Sequence, residues 1–199
     1  LPLARLHLHV ISRIPNVIAC SDSIADDLRC RKIIARTIRN GVDLRSGQHL
    51  VTREERNRHR IALGLSTTDL IFVFTGPLIS RKRPQLLISD FLRLFSGQKA
   101  TLCIVGDGPM MNQCKISSCN SSQIVFSGFI EDVTPYLISA DAFVSAALSE
   151  GLPNSVLEAL AWGLPQILSK IPSHDEILRI DPEAGYLVNL DWGESIFCR

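Results

Sequence analysis

From about residue 70 onward the chain alternates short, wholly apolar runs with longer stretches of helical spacing. Leu70-Ile-Phe-Val-Phe74 is the first apolar run, and it stops at Thr75-Gly76. Pro84 to Phe95 follows, with Leu87, Ile88, Phe91, Leu92 and Phe95 on one helical face. The same reading predicts strands at Leu102 to Val105, Ile124 to Phe126, Ala142 to Ala147, Gln166 to Leu168 and Tyr186 to Val188. Between them it predicts helices at Met110 to Cys119, Asp132 to Ser139 and Pro153 to Trp162, and a helical turn at Ser173 to Leu178.

Strands without polar alternation are buried on both faces. Alternating with helices, they predict an α/β fold: a Rossmann-like, doubly wound parallel sheet covered on both sides. Right-handed crossovers then put every loop that follows a strand on one edge, where such sheets bind ligands. Gly76, Gly106, Gly128 and Glu150 all fall on that edge.

The first 65 residues read differently. Val17 to Cys20 looks like a strand running into a Ser21-Asp22 helix cap, and Thr37 to Arg39 like a strand that ends in an Asn40-Gly41 turn. Thr52-Arg-Glu-Glu55 is a capping box that opens a helix to about Leu63, with Gly64 as its stop. These strands are too few for a sheet of their own. The expected organisation is therefore the tail of a preceding domain over 1–45, a linker and helix over 46–67, and the main domain over 68–199.

A chain of 199 residues with 46% hydrophobic residues suffices for one domain with a sizeable core, or one plus a fragment of another. A net charge of +1 gives no electrostatic argument for nucleic acid. The basic clusters Arg29 to Lys32 and Arg53 to Arg60 read as solvated helix faces rather than a membrane patch. The six cysteines show no metal spacing, Cys103 reads as a core residue, and a reducing cytoplasm is the expected compartment. No apolar run reaches the ~18 residues of a membrane span, and the first residues lack a signal-peptide core. Without an initiator Met, and with an abrupt end at Arg199, the chain reads as a fragment of a longer protein. The five histidines, His174 among them, have no partner at metal or triad spacing and read as structural or exposed.

The candidate chemistry centres on Glu150-Gly-Leu-Pro-Asn-Ser-Val-Leu-Glu158. Pro153 suits the first position of a helix, which leaves the amides of Asn154 and Ser155 unpaired and able to hold a phosphate. Glu158 lies on the same helix face as Ser155, ~4.5 Å further along, where a carboxylate suits the vicinal diol of a ribose. Glu150, at the strand end, would sit across the phosphate from it. Arg81-Lys82-Arg83 puts three cations at the same edge, able to neutralise a diphosphate. Gly106-Asp-Gly-Pro109 lacks the third glycine of a dinucleotide loop and reads as a tight turn.

Together these residues resemble the retaining glycosyltransferases of the GT-B fold, family 4 (group 1), and the C-terminal donor-binding domain in particular. The pieces that carry the resemblance are Thr75-Gly76…Lys82, Ile104-Val-Gly-Asp-Gly-Pro109, Val125 to Phe129, Ala140 to Val144, Glu150 to Ala159, Gly163-Leu-Pro165 and Glu176…Gly185-Tyr-Leu-Val188. Upstream, Val17 to Ser21 and Ile38-Arg-Asn-Gly-Val-Asp43 resemble the end of the family's N-terminal domain and its crossing into the next. The resemblance implies that Lys82 contacts the donor diphosphate, with Arg81 and the amides of Asn154 and Ser155. It implies that Glu150 acts as the catalytic residue beside the transferred sugar, with backbone at Leu152 and Pro153 holding hydroxyls. Glu158 would bind ribose, and Phe129 and Ile130 would lie near the base. No metal or other cofactor is implied. The expected partners are a UDP-, GDP- or ADP-sugar and a glycan or lipid-linked acceptor, with peripheral contact at the inner face of the membrane left open.

Two departures qualify the resemblance. Pro77 stands where the family has a basic residue, a charge that Arg81 or Arg83 would have to supply. Most of the N-terminal domain, which in the family carries the acceptor site, a Gly-rich loop and often a catalytic His, has no counterpart here. The chain alone is therefore expected to bind a donor weakly or not at all and not to turn over. The alternatives are a nucleotide-sugar 2-epimerase on the same fold, against which the Glu motif favours a transferase, and a degenerate GT-B domain used for binding, which Pro77 supports and the intact Glu150 and Glu158 oppose. A nicotinamide dehydrogenase is disfavoured because no acidic residue follows the Gly106 loop at a strand end.

Overall fold

The computed structural model describes residues 8–43, 51–190 and 195–197. The expected stop at Arg199, Cys198, and the start of the expected linker, residues 46–50, lie outside the described residues. The core is a six-stranded, all-parallel sheet in the order β5-β4-β3-β6-β7-β8. Its strands are β3 (Leu70–Thr75), β4 (Ala100–Val105), β5 (Ile124–Gly128), β6 (Ala142–Ser145), β7 (Gln166–Ser169) and β8 (Gly185–Val188). The intervening helices are α3 (Pro84–Phe95), α4 (Met111–Ser117), α5 (Thr134–Ser139), α6 (Asn154–Ala161) and α7 (Pro172–Leu178). Every strand and helix predicted after residue 70 is present, with ends displaced by one to two residues in most cases.

The apolar runs are buried for the reason their composition suggests: helices cover both faces. Alternate residues of β3 enter opposite cores. Phe72 and Phe74 join Leu87, Ile88 and Phe91 of α3 on one side. Ile71 and Val73 join Phe143, Val156 and Leu168 on the other. Phe72, Phe91, Phe95 and Phe197 pack edge to face or stacked at centroid distances of 5.0 to 5.8 Å.

The order of strands places a topological switch at β3, which has β4 on one side and β6 on the other. At the start of this pair Asp141 acts as a clasp. Its amide donates to the Ile71 carbonyl at 2.7 Å, and its carboxylate accepts from the Ile71 amide at 2.8 Å. Arg60, on α2 (Arg53–Ala62), is only 4% exposed and donates to Asp141 and to the carbonyls of Ser139 and Asp69. Arg56 also reaches Asp141. This corrects the reading of Arg53 to Arg60 as a solvated face: two of its arginines dock α2 on the sheet, because a guanidinium fork can satisfy several acceptors at once. The other cluster keeps its solvated character, with Arg29 and Arg31 exposed and paired to Asp26 and Asp27.

The upstream segment also departs from expectation. β1 (Val17–Ala19) pairs in parallel with β2 (Ala35–Thr37), which sits two residues before the predicted strand at Thr37 to Arg39. Two strands therefore do form a small sheet, with α1 (Asp22–Cys30) as the crossover. Ser21 caps α1, accepting from the Ile24 amide as its sequence predicts. A second cap comes from elsewhere: Glu176 of α7 accepts from the amides of Asp22 and Ser23 and from Arg39. Burial alone would raise the Glu176 pKa; the two amides and the Arg39 guanidinium outweigh it and hold it below the ordinary range.

Candidate active site

The carboxyl ends of β3, β4, β5 and β6 open into one cleft of about 520 Å³, a size ordinary for a small-molecule site. Two glycines let the strand ends converge. Gly106 has φ +145°, and a Cβ there would stand 1.9 Å from the Gly76 carbonyl oxygen. A Cβ at Gly108 would stand 2.6 Å from the Leu78 carbonyl oxygen. The Gly106 turn thus does the job its sequence suggested, tying β3 to β4 through the Gly76 amide and the Val105 carbonyl at 2.9 Å.

The cleft brings together the sequence-derived site residues with the exception of Arg83: Arg81, Lys82, Phe129, Ile130, Glu150, Leu152, Pro153, Asn154, Ser155 and Glu158 all line it. Glu150 lies at its centre. Lys82 Nζ stands 2.7 Å from one carboxylate oxygen and Arg81 Nη1 2.8 Å from the other, with both Lys82 and Glu150 under 10% exposed. Burial alone would raise the Glu150 pKa; the hydrogen bonds and charges of Lys82, then of Arg81, outweigh it and hold the group ionised below the usual carboxylate range. Such a pair is costly to desolvate, so its placement at a ligand edge points to use rather than to stability.

The third cation is directed elsewhere. Arg83 adopts a left-handed backbone (φ 51°, ψ 46°) ahead of Pro84 and donates from Nε to the Ala146 carbonyl at 2.6 Å. Of the two candidates to replace the missing charge at Pro77, Arg81 is the one at the cleft, where it and Pro77 both line the wall.

Helix α6 begins one residue later than predicted. Pro153 is its N-cap, with ψ 108° outside the helical region, and its carbonyl accepts from the Val156 and Leu157 amides. The first helical amides are then those of Asn154 and Ser155, as expected, and no side chain caps them. As first-turn donors they have no carbonyl one turn back to meet, and they carry the positive end of the helix dipole into the cleft. Glu158 follows one turn later on the same face, half-buried, its pKa raised by burial. Leu152 is buried, and its carbonyl already accepts from Asn40 Nδ2 at 3.2 Å. Phe129 is the opposite case: an aromatic ring 78% exposed on the loop after β5, at the mouth of the cleft.

Four residues of the cleft wall, Thr75, Asp107, Val133 and Asn40, were not assigned to the site by the sequence reading. Thr75 lines the cleft, is 3% exposed and has an Oγ1 without a partner among the described residues. Nothing in a strand-ending Thr signals this. Asp107 and Val133 also lie in the wall. Asn40 joins it from the upstream segment, where the Asn-Gly turn was the available signal. His174, read as structural or exposed, is fully buried, with Nδ1 2.8 Å from the Ser169 carbonyl and Nε2 without a partner among the described residues. Burial pushes its pKa down to about 4; the Ser169 hydrogen bond and the charge of Glu150 oppose this and Lys82 adds to it. The imidazole therefore sits, neutral, within electrostatic reach of the Glu150–Lys82 pair.

The family profile described as Glycosyl transferases group 1 matches residues 69–196, the whole of the sheet domain. The chain belongs to the group 1 glycosyl transferases. Among its relatives is the Escherichia coli UDP-Gal:alpha-D-GlcNAc-diphosphoundecaprenol alpha-1,3-galactosyltransferase, 27% identical over 161 residues, 77% of this chain and 41% of that protein. The Mycobacterium tuberculosis GDP-mannose-dependent alpha-(1-6)-phosphatidylinositol dimannoside mannosyltransferase is 31% identical over 152 residues, 74% of this chain and 39% of that protein. The crystal structure of Anabaena Alr3699/HepE in complex with UDP-glucose superposes with a TM-score of 0.78 at 18% identity, covering 93% of this chain and 53% of that one. The fold is thus the Rossmann-like domain of GT-B glycosyltransferases, as its strand order and the position of the group 1 motifs require. This group 1 chain spans about two-fifths of the length of these two curated relatives. No described helix is long and apolar enough to cross a membrane.

Proposed function

We propose that the chain is the donor-binding half of a retaining glycosyltransferase that moves a sugar from a nucleotide-sugar to a glycan or lipid-linked acceptor. The observation that carries this reading is the gathering of Lys82, Arg81, Glu150, the α6 amides and Glu158 around one cleft. The diphosphate would rest on the amides of Asn154 and Ser155 and on Arg81 and Lys82. Glu150, which pairs with both cations, would be met by the transferred sugar beside Leu152 and Pro153. Glu158 would accept from the ribose hydroxyls, and the base would lie against Phe129 and Ile130. The charge that develops on the leaving diphosphate would be met by fixed cations and a helix dipole, so the step needs no metal or cofactor.

The mycobacterial relative is described as GDP-mannose-dependent and HepE was crystallised with UDP-glucose, so UDP and GDP are the probes of choice. Calorimetry should show binding of at least one of them. Lys82→Ala should weaken that binding roughly 10- to 100-fold, as the loss of a charged hydrogen-bond donor does. Failure of both nucleotides to bind at millimolar concentration would remove a uridine or guanosine donor, and failure of ADP as well would remove the donor reading. Pro77, which replaces the family's basic residue, favours a second reading, a degenerate binding domain. Binding without transfer in a protein that also carries the N-terminal domain would select it.

A further inference from the structure

We infer that Asn40, which lies upstream of the family-matched residues, is a positioning residue of the donor cleft that acts through Asn154. The inference rests on the donor reading above. The Asn40 carboxamide donates to the Asn154 side-chain oxygen at 3.0 Å and to the Leu152 carbonyl at 3.2 Å, so one NH₂ group holds both flanks of Pro153. Helix α6 has no side-chain cap of its own, and the tether reaches it across more than a hundred residues of sequence.

The geometry has a direct chemical consequence. With its oxygen engaged by Asn40, the Asn154 carboxamide has its NH₂ left to offer, next to the backbone amides of Asn154 and Ser155. A third donor is thereby added to the two backbone donors, all suited to phosphate oxygens. Without Asn40 the Asn154 side chain would be free to rotate, and its oxygen could turn toward the anion. Asn40 and Asn154 are both exposed at the cleft rim, so the pair contributes little to the fold while fixing the polarity of the site.

The test is calorimetry with UDP and GDP on the parent protein, Asn40→Ala, Asn154→Ala and the double variant. Asn40→Ala should raise the Kd of the bound nucleotide roughly five- to tenfold, the loss expected for one or two neutral hydrogen bonds. Its ligand-free melting temperature should stay within about 2 °C of the parent. In the Asn154→Ala background the same change should cost less than about twofold, since the two side chains act as one unit. Asn40→Asp, of equal size but without the donor, should not restore affinity. A Kd unchanged by Asn40→Ala overturns the inference while leaving the donor reading intact. Effects that add independently overturn the action through Asn154, and a fall in melting temperature with unchanged Kd assigns Asn40 a structural role only. If the parent binds neither nucleotide, nor ADP, the donor reading fails and the inference with it.

Discussion

At the scale of single residues, identical side chains reach different ends through their surroundings. Glu150 and Glu158 are both carboxylates at a cleft, yet one is held below the ordinary range by Lys82 and Arg81 and the other is raised by burial alone. Among the described residues no cation pairs with Glu158, which is left to accept from neutral donors such as hydroxyls. Glu158→Gln should therefore weaken UDP or GDP binding roughly 10- to 100-fold, and inorganic pyrophosphate, which lacks a ribose, should bind both forms alike. His174 carries a different prediction. Its folded pKa of about 4 lies below its ordinary 6.5, so the unfolded chain takes up the proton first as pH falls. Stability is fully present above 6.5 and is lost as pH falls toward 4, by up to about 3 kcal/mol. Melting curves of His174→Gln against the parent across that window should show a shallower pH dependence in the variant. The sequence announced the glutamates by their spacing. It could not announce His174, whose significance is burial beside an ion pair made by two other loops.

At the scale of elements, the apolar runs and capping residues dictated most of what formed. The inner strands β3, β4 and β6 were legible because full burial demands unbroken apolar sequence, the half-buried edge strands β5 and β8 by their short apolar runs, and the α6 start because proline ends one conformation and begins another. Boundaries and partners were less so. β2 lies two residues earlier than its polar flank suggested, and it gained a partner because α1 returns the chain alongside β1. Arg60 was read as solvated because a cluster of arginines usually is; docking against Asp141 reversed that. The junction of β3 and β4 is the sharpest constraint at this level. Gly106→Ala would place a methyl group 1.9 Å from the Gly76 oxygen on a backbone at φ +145°. The strand ends would have to part, and the melting temperature should fall by roughly 10 °C, with nucleotide binding reduced in step.

At the scale of the whole molecule, the sheet order sets the site where the strand direction of travel reverses, at β3. The chain covers about two-fifths of the two curated relatives described above, so the cleft is proposed as half of an active site. Incubated alone with UDP- and GDP-sugars and glycan or lipid-linked acceptors, it should bind a nucleotide and yield no transfer product; robust transfer by this chain would overturn that division. By itself the sequence determined the α/β class, the order of elements, the edge that carries the candidate site residues and the identity of the acids, because these follow from local periodicity and spacing along one chain. Tertiary structure alone decided which cations meet Glu150, that Arg83 donates to the Ala146 carbonyl, that Asn40 reaches the α6 start and that His174 is buried within electrostatic reach of the pair. Those are contacts between loops far apart in sequence, and their geometry is fixed only when strand order and helix packing bring the loops to one edge.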